Sequence, residues 1–381
     1  MTKMDVRQVQ LSQLDASALS DLSSLRPDLV LVFAAIAQLR QPDAHAVLRD
    51  AFPNAVLAGC STAGEITARG MSDHSCVVTA MKFNQVRVQA ATGRVTTMEE
   101  SEESGASLGL ALKAPDLRAV LLFGKGVGIN GSALISGMTA AIGGDVPVSG
   151  GLAGDGGAFA ETLTLTPDGL DADGVIALGL YGDALRISHG SFGGWQPFGP
   201  PRKVTRAAGN ILYELDGRSA LALYKDYLGE YSKDLPASGL LFPFEMLDAD
   251  HRSIGLIRTI LGVDEEAGAL ILAGDIDSSG YLRLMHANNE GLVDGAEIAA
   301  RRVRDAAGEC SQGLGLLVSC VGRKLVMGDA VDEEVEAVSH ILGRHLPLAG
   351  FYSYGEIAPF SSTTECKLHN QTMTVTFLSE A

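Results

Sequence analysis

Positive charge is scarce in this 381-residue chain: 29 lysines and arginines stand against 46 aspartates and glutamates, a net charge of −17. Such a field repels phosphate backbones and anionic lipid surfaces, which excludes nucleic acid as the natural partner. Long apolar runs are missing as well. The longest, Leu29 to Ala37, falls far short of the ~18 residues that a membrane span requires. The N-terminus, MTKMDVRQVQLSQLD, lacks the apolar core of a signal peptide. Cysteine is sparse, with five scattered residues, an odd number that fits free thiols in a reducing compartment. The expected setting is the cytoplasm.

Familiar catalytic and metal signatures are absent too. GCSTAG breaks the G-x-S-x-G elbow by one residue and no triad order follows it. Cys60 or Ser61 at a strand end leaves open a cysteine-dependent or hydrolytic enzyme, although no neighbouring base can be assigned. GKGVGINGS (124–132) lies between a strand and a helix as phosphate loops do, but Lys125 is at the wrong end for a Walker motif. A helix N-terminus that takes some anion stays open there. The C-x-x-H of ECKLHNQT has no second half at zinc spacing. No catalytic residue and no metal ligand are therefore assigned.

A repeat stands out among what is present. GCSTAGEI (59–66) and GFYSYGEI (350–357) share the pattern G-x-x-[ST]-x-G-E-I, which matches Thr62 with Ser353 and Glu65 with Glu356. Around each loop the order is strand, helix, strand, loop, strand. One copy begins at DLVLVFAAI, a second at AVLLFG and a third at LGLLVSC; in the second, VSGGLAGDGG places Asp155 where the acid falls. The expected fold is α/β (mixed α+β), with internally repeated strand–helix–strand modules in two domains with mixed sheets. The length suits two domains: an extension at 1–27, a first domain at 28–205 and a second at 206–381, with the seam in GSFGGWQPFGPPRK. In the second domain FPFEML reads as a connector and HRSIGLIRTILGVDEEAGALILAGDI as two strands around an acidic turn. A helix with a capping box at Asp294 and Glu297 ends before Gly308.

Several side chains carry potential chemistry. Glu65 and Glu356 either cap nearby amides or face a ligand at a strand end, where open sheets bind them. Tyr352, Tyr354 and Glu356 fall on one side if their segment is extended, with His369 and Asn370 opposite and Thr62 in the matching N-terminal loop. Arg258 sits in an apolar strand, so it needs an anionic partner. That partner is an internal acid, Glu356 or Asp275, or the carboxylate of a ligand.

LVLVFAA…GCSTAGEI, VPVSGGLAGD, GLIRTIL…GALILAGDI and LAGFYSYGEIAPF…LHNQTMTVTFLSE together resemble the FIST family (F-box and intracellular signal transduction). The resemblance runs from about Leu29 to the end and makes the two expected domains N- and C-terminal FIST-like domains. It implies a sensory, ligand-binding role, for which amino-acid-like ligands have been proposed, and favours the ligand reading of Arg258. One subgroup binds haem, senses nitric oxide and acts on a histidine kinase. A haem b here would take an axial ligand from His369, His286 or His189, among which the sequence does not choose. No signalling module is evident in these residues, so output is expected to pass through a partner such as a histidine kinase. Oligomeric state is left open.

Overall fold

The computed structural model describes residues 4–308, 312–359 and 365–381. Cys310 and Phe360, the last residue of the GFYSYGEIAPF motif, lie outside them.

Three copies of one unit build the body. The first runs β1 (Asp5–Leu11), α1 (Ser20–Ser23), β2 (Leu29–Ala34), α2 (Ile36–Leu39), α3 (Ala44–Ala51), β3 (Val56–Ser61), a hairpin of β4 (Glu65–Thr67) and β5 (Gly70–Ser72), and β6 (Cys76–Lys82). The second runs β7 (Arg87–Arg94), α4 (Ser101–Leu112), β8 (Leu117–Gly124), α5 (Gly131–Ile142), β9 (Val148–Leu152), the hairpin β10 (Thr164–Thr166) and β11 (Gly169–Asp171), and β12 (Gly174–Tyr181). The third opens with β13 (Leu185–Phe192) and is then interrupted.

The interruption is a sheet of nine antiparallel strands. Its elements are β14 (Gln196–Pro197), β15 (Arg202–Ala208), β16 (Ile211–Leu215), β17 (Arg218–Ser219), α6 (Ala220–Leu228), β18 (Phe244–Leu247), β19 (Ser253–Arg258), β20 (Ile260–Asp264), β21 (Ala269–Leu272) and β22 (Tyr281–His286). FPFEML is thus a strand, β18, paired with β19 and β22. The segment expected as two strands contains three, with the acidic turn between β20 and β21. The third copy resumes with α7 (Asn289–Ala307), β23 (Leu314–Cys320), α8 (Val321–Met327), α9 (Asp332–Leu342), β24 (Leu348–Ser353), the hairpin β25 (Gly355–Pro359) and β26 (Cys366–His369), and β27 (Met373–Glu380). Helix α7 starts earlier than the Asp294–Glu297 spacing suggests. Asn288 is its cap, accepting a 2.9 Å bond from Gly291 N.

Each copy lays four of its own strands side by side and borrows a hairpin. The three sheets read β1-β6-β2-β3-β10-β11, β7-β12-β8-β9-β25-β26 and β13-β27-β23-β24-β4-β5. The second copy's hairpin completes the first sheet, the third copy's completes the second, and the first copy's completes the third. The pairs β2–β3, β8–β9 and β23–β24 are parallel and their neighbours antiparallel, so every sheet is mixed. Residues 5–11, expected in an extension, form an edge strand paired with β6. Strand pairs β4–β24, β9–β25 and β13–β27 all join residues before 205 to residues after it. The glycine- and proline-rich stretch after Phe192 is where the chain leaves this body for the inserted sheet.

Glycine holds the parallel pairs together. A Cβ at Gly59, Gly150 or Gly350 would lie 1.9, 2.1 or 1.9 Å from the carbonyl oxygen of Val32, Leu122 or Leu317. No other residue fits so close an approach. The borrowed hairpins seat opposite these glycines: Leu165 faces Gly59, Ile357 faces Gly150 and Ile66 faces Gly350. The same register puts Thr164, not Asp155, in the place of Glu65 and Glu356, because an irregular segment at 153–163 precedes β10.

The apolar runs are buried on both faces. Leu29, Leu31 and Phe33 of β2 meet Ala119, Leu121 and Phe123 of β8 and Leu314, Leu316 and Val318 of β23 in a common centre. Val30, Val32 and Ala34 face outward to Leu19, Leu22, Leu39 and Leu48 of the covering helices. At the centre the rings of Phe33 and Phe351 lie 4.7 Å apart, Phe33 and Phe123 5.5 Å, and Phe123 and Phe351 6.2 Å. Aromatic packing closes the point where the three sheets meet. No helix among the described residues is long and apolar enough to cross a membrane.

Candidate functional site

The two G-E-I loops meet, as Ala63 N donates to Tyr352 O and Tyr352 N to Gly64 O, both at 2.8 Å. Their acids, however, act inside the fold. Thr62 Oγ1 donates to Glu65 Oε1 at 2.5 Å, and Ser75 N and Oγ donate to Oε2 at 2.9 and 2.7 Å. In the other loop Ser353 Oγ donates to Glu356 Oε1 at 2.8 Å, and Thr372 N and Oγ1 donate to Oε2 at 3.1 and 3.0 Å. Each glutamate therefore ties the start of a donated hairpin to the start of the long strand that follows it. Burial raises both acids above the usual carboxylate range against the pull of these bonds, Glu356 to about 8.

Tyr352 is equally internal. Its hydroxyl donates to Glu334 Oε1 at 2.6 Å, beside Ser319 Oγ at 2.9 Å. Glu334 Oε2 takes Nε and Nη2 of Arg323 at 3.0 and 2.7 Å, and both charged side chains are fully buried. Sequence reasoning missed this pair, because Glu334 looks like one more acid at the start of α9. Its position was informative all the same: with Val338 and Ile341 it lies on the buried helical face. Tyr354 clamps the 153–163 segment. Its hydroxyl donates to Asp155 Oδ1 and accepts from Gly157 N at 3.0 Å, and its ring stacks on Phe159 at 4.0 Å. Glu65, Thr62, Tyr352 and Glu356 line none of the cavities that follow; Tyr354 borders a small one of about 40 Å³.

Arg258 is placed differently. It ends β19, 4% exposed, and lines an open cleft of about 830 Å³ between the inserted sheet and α5. Nε donates to Asp275 O at 2.9 Å, and Nη1 to Ile257 O and Leu368 O at 3.1 and 3.2 Å. These partners are carbonyls: among the described residues no carboxylate pairs with Arg258, neither Glu356 nor Asp275. Burial lowers its pKa to about 10 despite the nearby Asp275 charge, so it stays cationic at neutral pH. The N-terminus of α5 opens on the same wall. Ser132 Oγ there is buried without a hydrogen-bond partner among the described residues, and a side chain at Gly274 would meet both Arg258 Nε at 3.1 Å and Ser132 Oγ at 3.2 Å. Fixed cation, helix dipole and free hydroxyl all favour an anionic group. Asp145, Asp275 and Asp277 line the cleft as well.

His369 and Asn370 lie across β19 from that cleft. His369 lines a separate pocket of about 290 Å³ with Trp195 and Arg302, and its Nε2 sits 3.0 Å from Ala358 O. Asn370 is buried, and its Oδ1 lacks a partner among the described residues. His189 bonds Thr376 Oγ1 at 3.2 Å from within the third sheet, and His286 packs edge-on against Phe198. Haem requires a ring nitrogen aimed into an apolar cavity of porphyrin size. Of the three histidines, His369 lines a described cavity, of about 290 Å³. Cys60 packs in the central core, where burial pushes its thiol well up and keeps it protonated. Ser61 Oγ accepts from Leu163 N at 2.9 Å. Neither is an accessible nucleophile.

Three interlocked copies thus carry an inserted sheet, and the cleft beside it is lined by a buried cation that no described carboxylate pairs. The chain belongs to the FIST family: the FIST N domain matches residues 28–218 and the FIST C domain residues 220–359. FIST domains are sensor domains of signal transduction. The chain is 28% identical over 194 residues to an uncharacterized protein of Mycobacterium tuberculosis, covering 49% of this chain and 50% of that one. An uncharacterized protein of Mycobacterium bovis is 28% identical over 174 residues, 44% of this chain and 45% of its own. The chain thus spans about half the length of these relatives. Among solved structures, a cyanuric acid hydrolase from A. caulinodans aligns over 99% of both chains at 9% identity with a TM-score of 0.36.

Proposed function

We propose that this FIST protein senses a small, amino-acid-like ligand in the Arg258 cleft and passes the signal to a separate protein, such as a histidine kinase. The observation that carries the reading is a buried guanidinium, without a carboxylate partner among the described residues, on the wall of a roomy cleft. A ligand carboxylate would complete Arg258, with Ser132 Oγ as a further donor. The aspartates of the cleft supply the charge that an ammonium group needs. Because the cleft is walled by β19 on one side and α5 on the other, an occupant would bridge the inserted sheet and the three-copy body. That bridging supports a sensing role, since occupancy then changes how firmly the two are held.

Titration calorimetry with free L-amino acids and their C-terminal amides tests the reading. Amidation should abolish binding, and Arg258→Lys should weaken it about tenfold, ~1.4 kcal/mol, with little change in melting temperature. Equal affinity in wild type, Arg258→Lys and Arg258→Met would remove Arg258 from the site. A Soret band on addition of haemin, shifting with nitric oxide, would support the haem reading instead.

A further inference from the structure

Three of the large apolar side chains that face solvent come from distant parts of the chain yet converge on one groove. Tyr231 follows α6 in the inserted sheet and is 55% exposed, Leu261 on β20 is 42% exposed, and Leu325 on α8 of the third copy is 51% exposed. Phe159 of the second copy and Leu241 complete the walls of a cavity of about 680 Å³. Asp234 is the one charged residue among those that line it, and the chain as a whole carries −17. Contiguous exposed apolar surface of this kind marks an interaction site. Its shape and charge select the occupant. An open apolar trough accepts side chains at i, i+3 or i+4 and i+7 of an amphipathic helix, and Asp234 on its wall, in a protein of strongly negative net charge, favours a basic one.

We propose that this groove is the docking site for a basic amphipathic helix of the signalling partner, a proposal that rests on the sensory reading above only for the word signalling. The groove also adjoins the ligand cleft. Phe159 stacks on Tyr354, and Tyr354, Leu261 and Gly274 all border the small cavity between the two. A docked helix would therefore touch the residues next to those that hold a ligand.

The test uses the full chain and a fluorescein-labelled model helix of leucine and lysine, titrated by anisotropy at 0.15 M salt. Leu325→Asp and Leu261→Asp should each weaken binding at least tenfold, whereas Leu110→Asp, on a 66% exposed leucine of α4, should leave it within twofold. The same loss in all three variants, or in none, would overturn the proposal, because attraction to net charge alone then explains the binding. Two further results would reassign the groove and so overturn it as well. One is a dimer in light scattering that Leu325→Asp abolishes, which points to a second copy of this chain. The other is flotation with phosphatidylcholine vesicles that Leu325→Asp abolishes, which points to lipid. Amino-acid titration of Leu325→Asp should match wild type, so failure here is separable from failure of the ligand site.

Discussion

Glu356 shows how a single residue can look like a ligand contact and act as a strand tie. Its two oxygens accept three bonds, and burial keeps it protonated to about pH 8, against an ordinary value of 4.5. The folded chain therefore binds more protons than the unfolded chain between those values. Stability that is complete below the lower value is lost as pH rises through the upper one. Glu356→Gln is neutral throughout and escapes that loss. Thermal melts at about pH 5 and about pH 8 should show the wild type losing ground to the variant at the higher pH. A constant gap would mean that the carboxylate is already ionised in the fold. The repeat motif exposed both Glu65 and Glu356 as special and left their role open between capping amides and facing a ligand. That role is set by Ser75 and Thr372, which reach the acids from the start of the next long strand.

The hairpin is the element on which the architecture turns, and the glycine beneath it sets how closely it seats. Gly350→Ala would place a methyl 1.9 Å from Leu317 O, which the parallel pair β23–β24 can relieve only by separating. A cost of about 3 kcal/mol is expected, at the upper end for overpacking, together with loosening of the β4–β5 hairpin donated opposite. Gly144→Ala enters open space and should cost little. Denaturant unfolding of both variants checks this, and equal midpoints would sink the claim of close approach. Most of these strands were legible as short apolar runs, and α5 and α9 as amphipathic helices. The strands β1 and β18 were not, and β20 was read as one strand with β19, because partly exposed residues interrupt their burial patterns.

At the scale of the molecule the three copies form a closed ring. Besides the exchanged hairpins, Glu380 at the end of β27 accepts backbone bonds from Asn84, Gln85 and Val86, where the first copy passes into the second. Gln8 Nε2 reaches Leu348 O at 2.9 Å. Residues 196–200 are exposed and rich in proline and glycine, so limited proteolysis should nick there. The nicked halves should still elute as one species on gel filtration and part only in denaturant, because three strand pairs cross the cut. Two fragments resolved in native buffer would contradict the interlocked ring.

The sequence by itself determined that one unit recurs, which runs are buried and that α5, α6 and α9 are helices, because periodicity and composition report which faces water cannot reach. It determined the family as well, since loop motifs are local. Only the tertiary structure decided which copy each hairpin completes. A glycine, an apolar residue and an acid satisfy the same local pattern whether their partner strand is in their own copy or the next. The same limit separated the two kinds of charged candidate. Glu356 and Arg258 both read as buried charges awaiting a partner, and the partners are chosen by chain segments far away: Thr372 closes over one, while no described carboxylate reaches the other.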